Sequence, residues 1–227
     1  MTTTQTTVNG YMLHEDGWWW PVDSNEKDWA YSLKKTNSLE FVCKLAENGV
    51  IRSRSVIQAG GAYGVWPKRL AKTFDMVISY EPDQRAFMGL TLNCPEENIV
   101  KLNAAAGHKR RPVTLQRKGF ASHFVLGTST AGNAIQYPID NLEILNCDAL
   151  ILDVEGYEYY AIEGAKQTIK MCRPVILIED RRLQEKFHGL KDGCAEEAIL
   201  KHKYRLIHEA GHDKIFLPNE IKWEIGK

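Results

Sequence analysis

Short apolar runs alternate with amphipathic segments along most of the chain from residue 55 onward. The apolar runs have the length of buried strands and comprise residues 55–59, 76–80, 99–103, 149–154 and 175–178. The segments between them carry apolar residues at helical spacing and comprise residues 65–73, 84–92, 157–171 and 194–202. Strands that alternate with helices predict a mostly parallel sheet that is covered by helices on both faces.

Two further pairs of short runs predict antiparallel hairpins. Residues 113–116 and 122–125 flank Gly119 and several basic residues, which indicates a hairpin inserted between elements of the sheet. Residues 205–208 and 214–217 are joined through Gly211 and predict a hairpin at the C-terminal end of the fold.

The first 50 residues follow a different pattern. Residues 1–10 are small and polar and predict a flexible tail. Residues 11–28 are aromatic and rich in turn formers, with three consecutive tryptophans from Trp18, and they favour extended structure over a helix. Residues 29–48 repeat apolar side chains at near-helical spacing. We therefore expect a small aromatic-rich cap and helix over residues 11–50, ahead of one α/β domain over residues 51–227.

Composition excludes several classes of protein. With 227 residues, 44% of them hydrophobic and 26% charged, the chain can bury a sizeable core, which disordered chains cannot. Lysine and arginine number 29, as do aspartate and glutamate, so binding of long nucleic acids through net charge is not favoured. No apolar run approaches the roughly 18–20 residues of a membrane span.

Cysteine usage and the N-terminal sequence indicate a cytoplasmic protein. Five scattered cysteines, none in a CxxC pair, favour free thiols in a reducing compartment over zinc ligands or disulfides. The N-terminus has neither the basic start nor the apolar stretch of a signal peptide.

A glycine-rich turn follows the first predicted strand of the α/β domain. Gly60, Gly61 and Gly64 allow the backbone to approach a ligand closely, and the next helix begins directly after them. About 20 residues later the second strand ends at Glu81, where a carboxylate can accept two hydrogen bonds from a ribose diol. Glu81 alone could also belong to an acidic helix start, but the ordered pair favours a nucleotide-like cofactor. No GKS or GKT sequence occurs, which excludes a P-loop.

Carboxylates follow the two most apolar strands. Asp153 and Glu155 come at the end of one strand and Glu179 at the end of the next, at the edge where open α/β sheets bind ligands. Because an unpartnered carboxylate at the end of an apolar strand is costly, these acids favour chemistry over simple helix capping. They could instead hold a hard divalent cation, although we expect no metal.

These motifs together resemble the FkbM-like S-adenosylmethionine-dependent methyltransferases, within the Rossmann-like class I superfamily. The resemblance covers about residues 56–218, and its matching pieces are residues 56–64, 80–83, 98–107, 139–142, 152–158, 162–165 and 173–179. The block Asp153-Val154-Glu155-Gly156-Tyr157-Glu158 is close to the family's D-x-E-G-x-E sequence and is the most specific piece. Two positions depart from the family's turn, where Gln58 replaces an acid and Ala62 replaces an asparagine.

The resemblance implies a Rossmann-like methyltransferase fold with a mostly parallel seven-stranded sheet and an antiparallel C-terminal hairpin. It implies S-adenosyl-L-methionine as the cofactor. The residues expected to contact the cofactor are Gln58, Gly60, Gly61, Gly64, Glu81, Pro82, Asn103, Ala104 and Asp153. Asp153, assisted by Glu155 and Glu179, is expected to position or deprotonate the acceptor. His123 on the inserted hairpin is an alternative base.

The acceptor is less constrained than the cofactor. O-methylation of a small molecule or glycan fits best, and the basic run Lys109-Arg110-Arg111 is either a solvated hairpin or a feature that recognises an anionic acceptor. Two other functions stay open: a catalytically inactive cofactor-binding module and a nucleotide- or RNA-directed methyltransferase. The tryptophan triplet either covers the crevice as a lid or, as we favour, closes a core between the cap and the sheet.

Overall fold

A computed structural model of the chain describes residues 6–24, 33, 37–118, 121–125 and 132–223. Its strands are β1 (Thr7–Val8), β2 (Tyr11–Leu13), β3 (Trp19–Pro21), β4 (Ser55–Ala59), β5 (Met76–Tyr80), β6 (Ile99–Leu102), β7 (Ala105–Ala106), β8 (Arg111–Lys118), β9 (Ala121–Val125), β10 (Ala134–Tyr137), β11 (Cys147–Leu152), β12 (Val175–Glu179), β13 (Tyr204–Ala210) and β14 (Asp213–Pro218). Its helices are α1 (Asn37–Glu47), α2 (Val65–Leu70), α3 (Gln84–Asn93), α4 (Glu158–Glu163), α5 (Lys166–Cys172), α6 (Gln184–His188) and α7 (Cys194–Lys201). Ile139–Leu142 forms a short 3-10 turn.

A seven-stranded sheet in the order β13-β14-β12-β11-β4-β5-β6 forms the centre of the fold. Strands β12, β11, β4, β5 and β6 are parallel, whereas β14 pairs antiparallel with β12 and with β13. The predicted fold class is therefore confirmed. The chain leaves β4 toward β5 and β6, but leaves β11 toward β12, so the strand order reverses between β4 and β11. A crevice at the carboxyl ends of such a pair is the usual ligand site of an open α/β sheet.

Both faces of the central sheet are buried. Val56 and Ile151 belong to the core that packs against α1, α2 and α3, whereas Ile57 and Leu150 belong to the core against α4, α5 and α7. This two-sided burial explains why the parallel strands are nearly continuous apolar runs in the sequence. Among the described helices, none combines the length and the hydrophobicity that a bilayer crossing needs.

The inserted region is larger than the predicted hairpin. Strands β8 and β9 do pair antiparallel, but β7 and β10 join them in a second sheet with the order β7-β10-β8-β9. The side chain of Asn133 helps to fix this sheet, because it accepts a hydrogen bond from Leu115 N at 2.7 Å and donates one to Leu115 O at 3.1 Å. The backbone of β9 lies against α6, so the insert reaches the segment that follows β12.

The helix predicted over residues 157–171 is instead two helices, α4 and α5. The break falls at Gly164, where a Cβ atom would lie 1.9 Å from the carbonyl oxygen of Gly107, so only glycine permits this contact. The carboxylate of Asp140 then caps the second helix by accepting hydrogen bonds from Gln167 N and Thr168 N at 3.0 and 2.9 Å. The helix α6 was not predicted, because its five residues are too few for a helical period to be recognised.

Strands β1, β2 and β3 form a small antiparallel sheet that packs beside α3. Trp20 is fully buried there and lies 5.5 Å from the ring of Tyr63, between ring centroids. Asn93 of α3 donates hydrogen bonds to Trp19 O at 3.0 Å and to Tyr63 O at 2.9 Å. Trp20 thus closes a core, with Trp18 and Trp19 partly buried beside it, but this core lies against Tyr63 and α3 and not against the central sheet as favoured from the sequence. Most of residues 25–36, which include the start of the predicted cap helix, lie outside the described residues.

Candidate active site

The glycine turn after β4 is held against both neighbouring strand ends. Gly60 N and Gly61 N both donate to Tyr80 O, at 3.1 and 2.8 Å. Gly60 has a φ of 88°, and a Cβ atom on it would lie 1.9 Å from the carbonyl oxygen of Asp153. The absence of a side chain therefore lets the turn touch the end of β11, which brings the glycine motif and the acidic motif together.

Gln58 lies beneath this turn and is completely buried. Its Nε2 donates to Gly60 O at 2.7 Å, and its Oε1 accepts from Ser79 Oγ at 2.8 Å. Both ends of the amide are therefore bonded to the protein, and the side chain links the glycine turn to β5. Contact between Gln58 and a cofactor stays a prediction.

Glu81 follows β5 directly and faces the same turn. Its Oε2 accepts a hydrogen bond from Ala62 N at 2.7 Å, and its Oε1 accepts one from Asp83 N at 2.8 Å. Asn103 Nδ2 donates to the backbone oxygen of Glu81 at 2.8 Å, so the residue after β6 supports the acid.

A cavity of about 700 Å³ begins one residue beyond Glu81. One wall is the start of α3 with Pro82 and Asn103, and the other is the inserted sheet with Leu115 and Ile135. A volume of this size suits a small organic ligand or cofactor. Ala104, which was also predicted to contact the cofactor, lies directly after Asn103 and is partly buried.

Three carboxylates converge at the carboxyl ends of β11 and β12. Oxygen atoms of Asp153, Glu155 and Glu179 all lie within 4.8 Å of one another. Strand β11 ends at Leu152, two residues before the predicted end, so Asp153 is the first residue beyond it. Asp153 N still donates to Ala59 O at 3.0 Å, which keeps this acid next to the glycine turn. The sequence-predicted catalytic residues are therefore neighbours in space.

The loop that carries Asp153 and Glu155 is built around the side chain of Glu158. Glu155 and Gly156 have positive φ angles of 54° and 95°, and these bend the chain sharply out of the sheet. Glu158 is fully buried, and its Oε1 accepts from Val154 N and Gly156 N, both at 3.2 Å. Burial raises the pKa of Glu158 to about 8, although these backbone N–H groups lower it.

Arg181 lies beside the carboxylate cluster. Its Nε lies 2.9 Å from Oε2 of Glu179, and its Nη1 lies 3.9 Å from Oε2 of Glu155. Burial lowers the pKa of the guanidinium, but the carboxylates of Glu179 and Glu155 outweigh this effect and hold the pKa above its ordinary value. Sequence reasoning missed Arg181, because nothing in the run Glu179-Asp180-Arg181-Arg182 indicates which acid each arginine meets.

The basic run of the insert divides between surface and interior. Lys109 is exposed and Arg110 lies over the ring of Tyr137, whereas Arg111 is half-buried and donates from Nε to Gln136 Oε1 at 3.2 Å. The hydroxyl of Tyr157 donates to the same oxygen at 3.3 Å. Through these two hydrogen bonds, Arg111 is linked to Tyr157, which follows the loop that carries Asp153 and Glu155. The side chain of the alternative base His123 falls outside the described residues.

Comparison with known proteins identifies a family and a fold. The sequence model of the methyltransferase FkbM domain matches residues 59–206. The solved structure of methyltransferase FkbM from Methylobacillus flagellatus KT is 19% identical to this chain, with a TM-score of 0.50. The match covers 73% of this chain but only 43% of that protein. N-methyltransferase NodS from Bradyrhizobium japonicum WM9 is 11% identical to this chain, with a TM-score of 0.51. The match covers 86% of this chain and 99% of NodS.

Magnesium protoporphyrin IX methyltransferase ChlM from Synechocystis PCC 6803, solved with bound S-adenosylmethionine, is 9% identical to the chain. Its TM-score is 0.51, with 88% of this chain and 86% of ChlM covered. No curated protein sequence matches the chain. Because these three structures are below 25% identity, they bear on the fold alone, and the fold that they share is the Rossmann-like methyltransferase fold.

Proposed function

Because the chain belongs to the FkbM family of S-adenosylmethionine-dependent methyltransferases, we propose that it methylates a hydroxyl group of a small molecule or glycan. The methyltransferase class and the cofactor follow from the family, whereas the oxygen acceptor is the proposal. The observation that carries it is the convergence of Asp153, Glu155 and Glu179 beside the glycine turn. An alcohol must lose a proton when its oxygen is methylated, and a carboxylate at this position can accept it.

The residues around the glycine turn fit the cofactor. Glu81 offers a carboxylate at the end of β5, and the cavity of about 700 Å³ next to it has room for a nucleoside. Gly60 presents bare backbone toward the end of β11, and Gly61 presents it toward Ser79 and Glu81. We assign the ribose diol to Glu81, and the base to the cavity beyond Pro82 and Asn103.

S-adenosylmethionine supplies an electrophilic methyl group when it is bound. The protein's contribution is to hold the acceptor oxygen in line with that methyl group, and Asp153 is assigned this role together with removal of the hydroxyl proton. Glu155 and Glu179 are assigned to fix the acceptor from the same side. The half-buried Arg111 supports an acceptor that carries an anionic group, because a guanidinium pairs well with phosphate or carboxylate.

The division of the chain is also a proposal. We assign residues 51–227 to the methyltransferase domain and residues 11–50 to the cap. The tail predicted over residues 1–10 includes β1, whose Thr7 and Val8 pair with β2. A cytoplasmic location rests on the five cysteines, each of which is a free thiol.

The test pairs cofactor binding with turnover. Calorimetry with S-adenosylhomocysteine measures binding, and release of S-adenosylhomocysteine from S-adenosylmethionine measures transfer to a panel of sugar, phosphosugar, alcohol and amine acceptors. Asp153→Asn should keep binding and reduce turnover by about 10²–10⁴-fold. Asp75→Asn, which removes an exposed carboxylate before β5, is the control. Full turnover by Asp153→Asn would refute the role of Asp153, and transfer to amines alone would refute the oxygen acceptor.

A further inference from the structure

The glycine turn after β4 is closed by hydrogen bonds within the protein. Gly60 N and Gly61 N both donate to Tyr80 O, at 3.1 and 2.8 Å. Ala62 N donates to the carboxylate of Glu81 at 2.7 Å. Because these bonds set the conformation of the turn, a ligand that binds against it meets a preformed surface.

The carbonyl oxygen of Gly60 is held by the side chain of Gln58. Gln58 is fully buried, and its Nε2 lies 2.7 Å from Gly60 O. A carbonyl oxygen can only accept a hydrogen bond, so the amino end of the amide must face it. The carbonyl end of the amide accepts from the hydroxyl of Ser79 at 2.8 Å, and Ser79 is fully buried as well. The orientation of the Gln58 amide is therefore fixed at both ends.

The peptide group between Gly60 and Gly61 is thus held from both sides. Its oxygen is bonded to Gln58 and its N–H to Tyr80 O. Two consecutive glycines leave the backbone unusually free to rotate, so this peptide group needs such bonds to keep one orientation. Without the amide of Gln58, only the N–H side would be fixed.

We propose that Gln58 is a positioning residue for cofactor binding, whose amide N–H fixes the peptide group between Gly60 and Gly61 in the orientation that receives S-adenosylmethionine. The position requires a hydrogen-bond donor. An ionised acid, the residue type expected here from the family's turn, would offer Gly60 O only acceptors. The link to the cofactor rests on the proposed function, which places the cofactor at this turn. The bond from Gln58 to Gly60 does not rest on it.

Replacement of Gln58 by glutamate makes the donor depend on pH. A protonated carboxyl group can donate to Gly60 O and accept from Ser79, as the amide does, whereas a carboxylate can only accept. Burial raises the pKa of a carboxyl group, to about 8–9 in documented cases. The introduced group should therefore be protonated at about pH 5.5 and mostly ionised at about pH 9.

The surroundings of Gln58 do not counteract this effect of burial. Its register partners are Ser79 on β5 and Ile151 on β11, and neither is charged. The acids that follow these strands are Glu81 and Asp153, and a negative charge on either would raise the pKa of a neighbouring carboxyl group further. The helices on this face of the sheet, α1, α2 and α3, carry charged residues that are all half-buried or exposed: Glu40, Lys44, Glu47, Lys68, Arg69 and Arg85.

The experiment measures S-adenosylhomocysteine binding by calorimetry, and thermal unfolding, on the full chain from about pH 5.5 to about pH 9. Gln58→Met removes the donor and keeps the length of the side chain, so it should weaken binding at least about tenfold at every pH. Gln58→Glu should bind within about threefold of the wild type at low pH and approach Gln58→Met at high pH. Its unfolding temperature should fall steadily relative to the wild type, because an acid whose pKa is raised by folding loses its stabilising effect as the pH rises toward that pKa.

Asn98→Leu is the matched control. The amide of Asn98 also donates to backbone oxygens, those of Ala71 and Phe74, at 3.0 and 3.1 Å. Asn98 directly precedes β6, so it lies at the amino ends of the parallel strands, away from the glycine turn. Its loss should lower the unfolding temperature, as Gln58→Met does, and should leave the affinity unchanged.

Three results would overturn the proposal: wild-type affinity in Gln58→Met, affinity in Gln58→Glu at low pH no better than in Gln58→Met, or an equal loss of affinity in Asn98→Leu. If Gln58→Met does not fold, Gln58→Glu decides alone, because its affinity must fall as the pH rises. Absence of binding by the wild type would refute the placement of the cofactor. The unfolding curves of Gln58→Glu then decide separately whether a donor at this position holds the turn.

Discussion

The contact between Gly60 and Asp153 makes a sharp prediction, because a single methyl group tests the link between the cofactor turn and the acidic loop. In Gly60→Ala, the new Cβ would start 1.9 Å from the carbonyl oxygen of Asp153. Both partners are backbone, so neither can rotate away, and the carboxyl ends of β4 and β11 must move apart by about 1 Å. Gly49→Ala is the control, because Gly49 also has a positive φ, of 69°, but has no atom within 4 Å of its Cβ position.

The magnitude follows from two costs. A side chain in the left-handed region costs about 1–2 kcal/mol, and both variants bear this cost. Overpacking adds about 1–3 kcal/mol, and only Gly60→Ala bears it. At about 2–4 °C per kcal/mol for a chain of this size, Gly60→Ala should therefore unfold about 2–12 °C below Gly49→Ala.

Binding of S-adenosylhomocysteine gives the second measurement. Because the displaced turn also carries the backbone that we propose faces the cofactor, Gly60→Ala should weaken binding by at least about tenfold, whereas Gly49→Ala should bind like the wild type. Equal unfolding temperatures in the two variants, together with equal affinities, would refute the contact and with it the juxtaposition of the two motifs.

Two other predictions concern buried acids. Glu81→Ala should weaken S-adenosylhomocysteine binding about 10–150-fold, which is the equivalent of about 1.5–3 kcal/mol for hydrogen bonds to a charged group. An unchanged affinity in calorimetry would show that Glu81 only stabilises the turn through its bond to Ala62 N. The pKa of Glu158 is raised to about 8, so its contribution to stability is complete below its unfolded value and is lost as the pH rises to about 8. Glu158→Gln should therefore gain stability relative to the wild type from about pH 5 to pH 8, by a few degrees; parallel unfolding curves across that range would contradict the raised pKa.

The central sheet could be predicted because its signal is local. Four of the five parallel strands end at a glycine or an acid, the exception being β6, which is followed by Asn103. Residues 55–59 and 76–80 match their strands at both ends. Asp153, Glu155 and Glu179 were expected to meet because the carboxyl ends of parallel strands share an edge. That expectation required no knowledge of side-chain positions.

The features that the sequence did not predict depend on contacts between segments that are far apart in the chain. Gly164 looks like an ordinary helix residue until Gly107 is placed against it, 57 residues earlier in the chain. Strand β7 has two residues and β10 has four, and neither shows an alternation that differs from a loop. The sequence does not distinguish Arg181 from Arg182. In the structure, Arg181 pairs with Glu179 and Arg182 pairs with Asp180.

The side chain of Asn93 joins two parts of the molecule that the sequence separates. Its bonds to Trp19 and Tyr63 connect the N-terminal sheet to the segment between Gly61 and Gly64. The ring of Trp20 packs beside the ring of Tyr63, with 5.5 Å between their centroids, so an indole chromophore contacts a residue of the glycine turn. Trp20 is therefore an intrinsic fluorophore next to the glycine turn. We expect intrinsic fluorescence to change when the glycine turn is occupied, and titration with S-adenosylhomocysteine measures that change without a label, a known acceptor or a coupled enzyme.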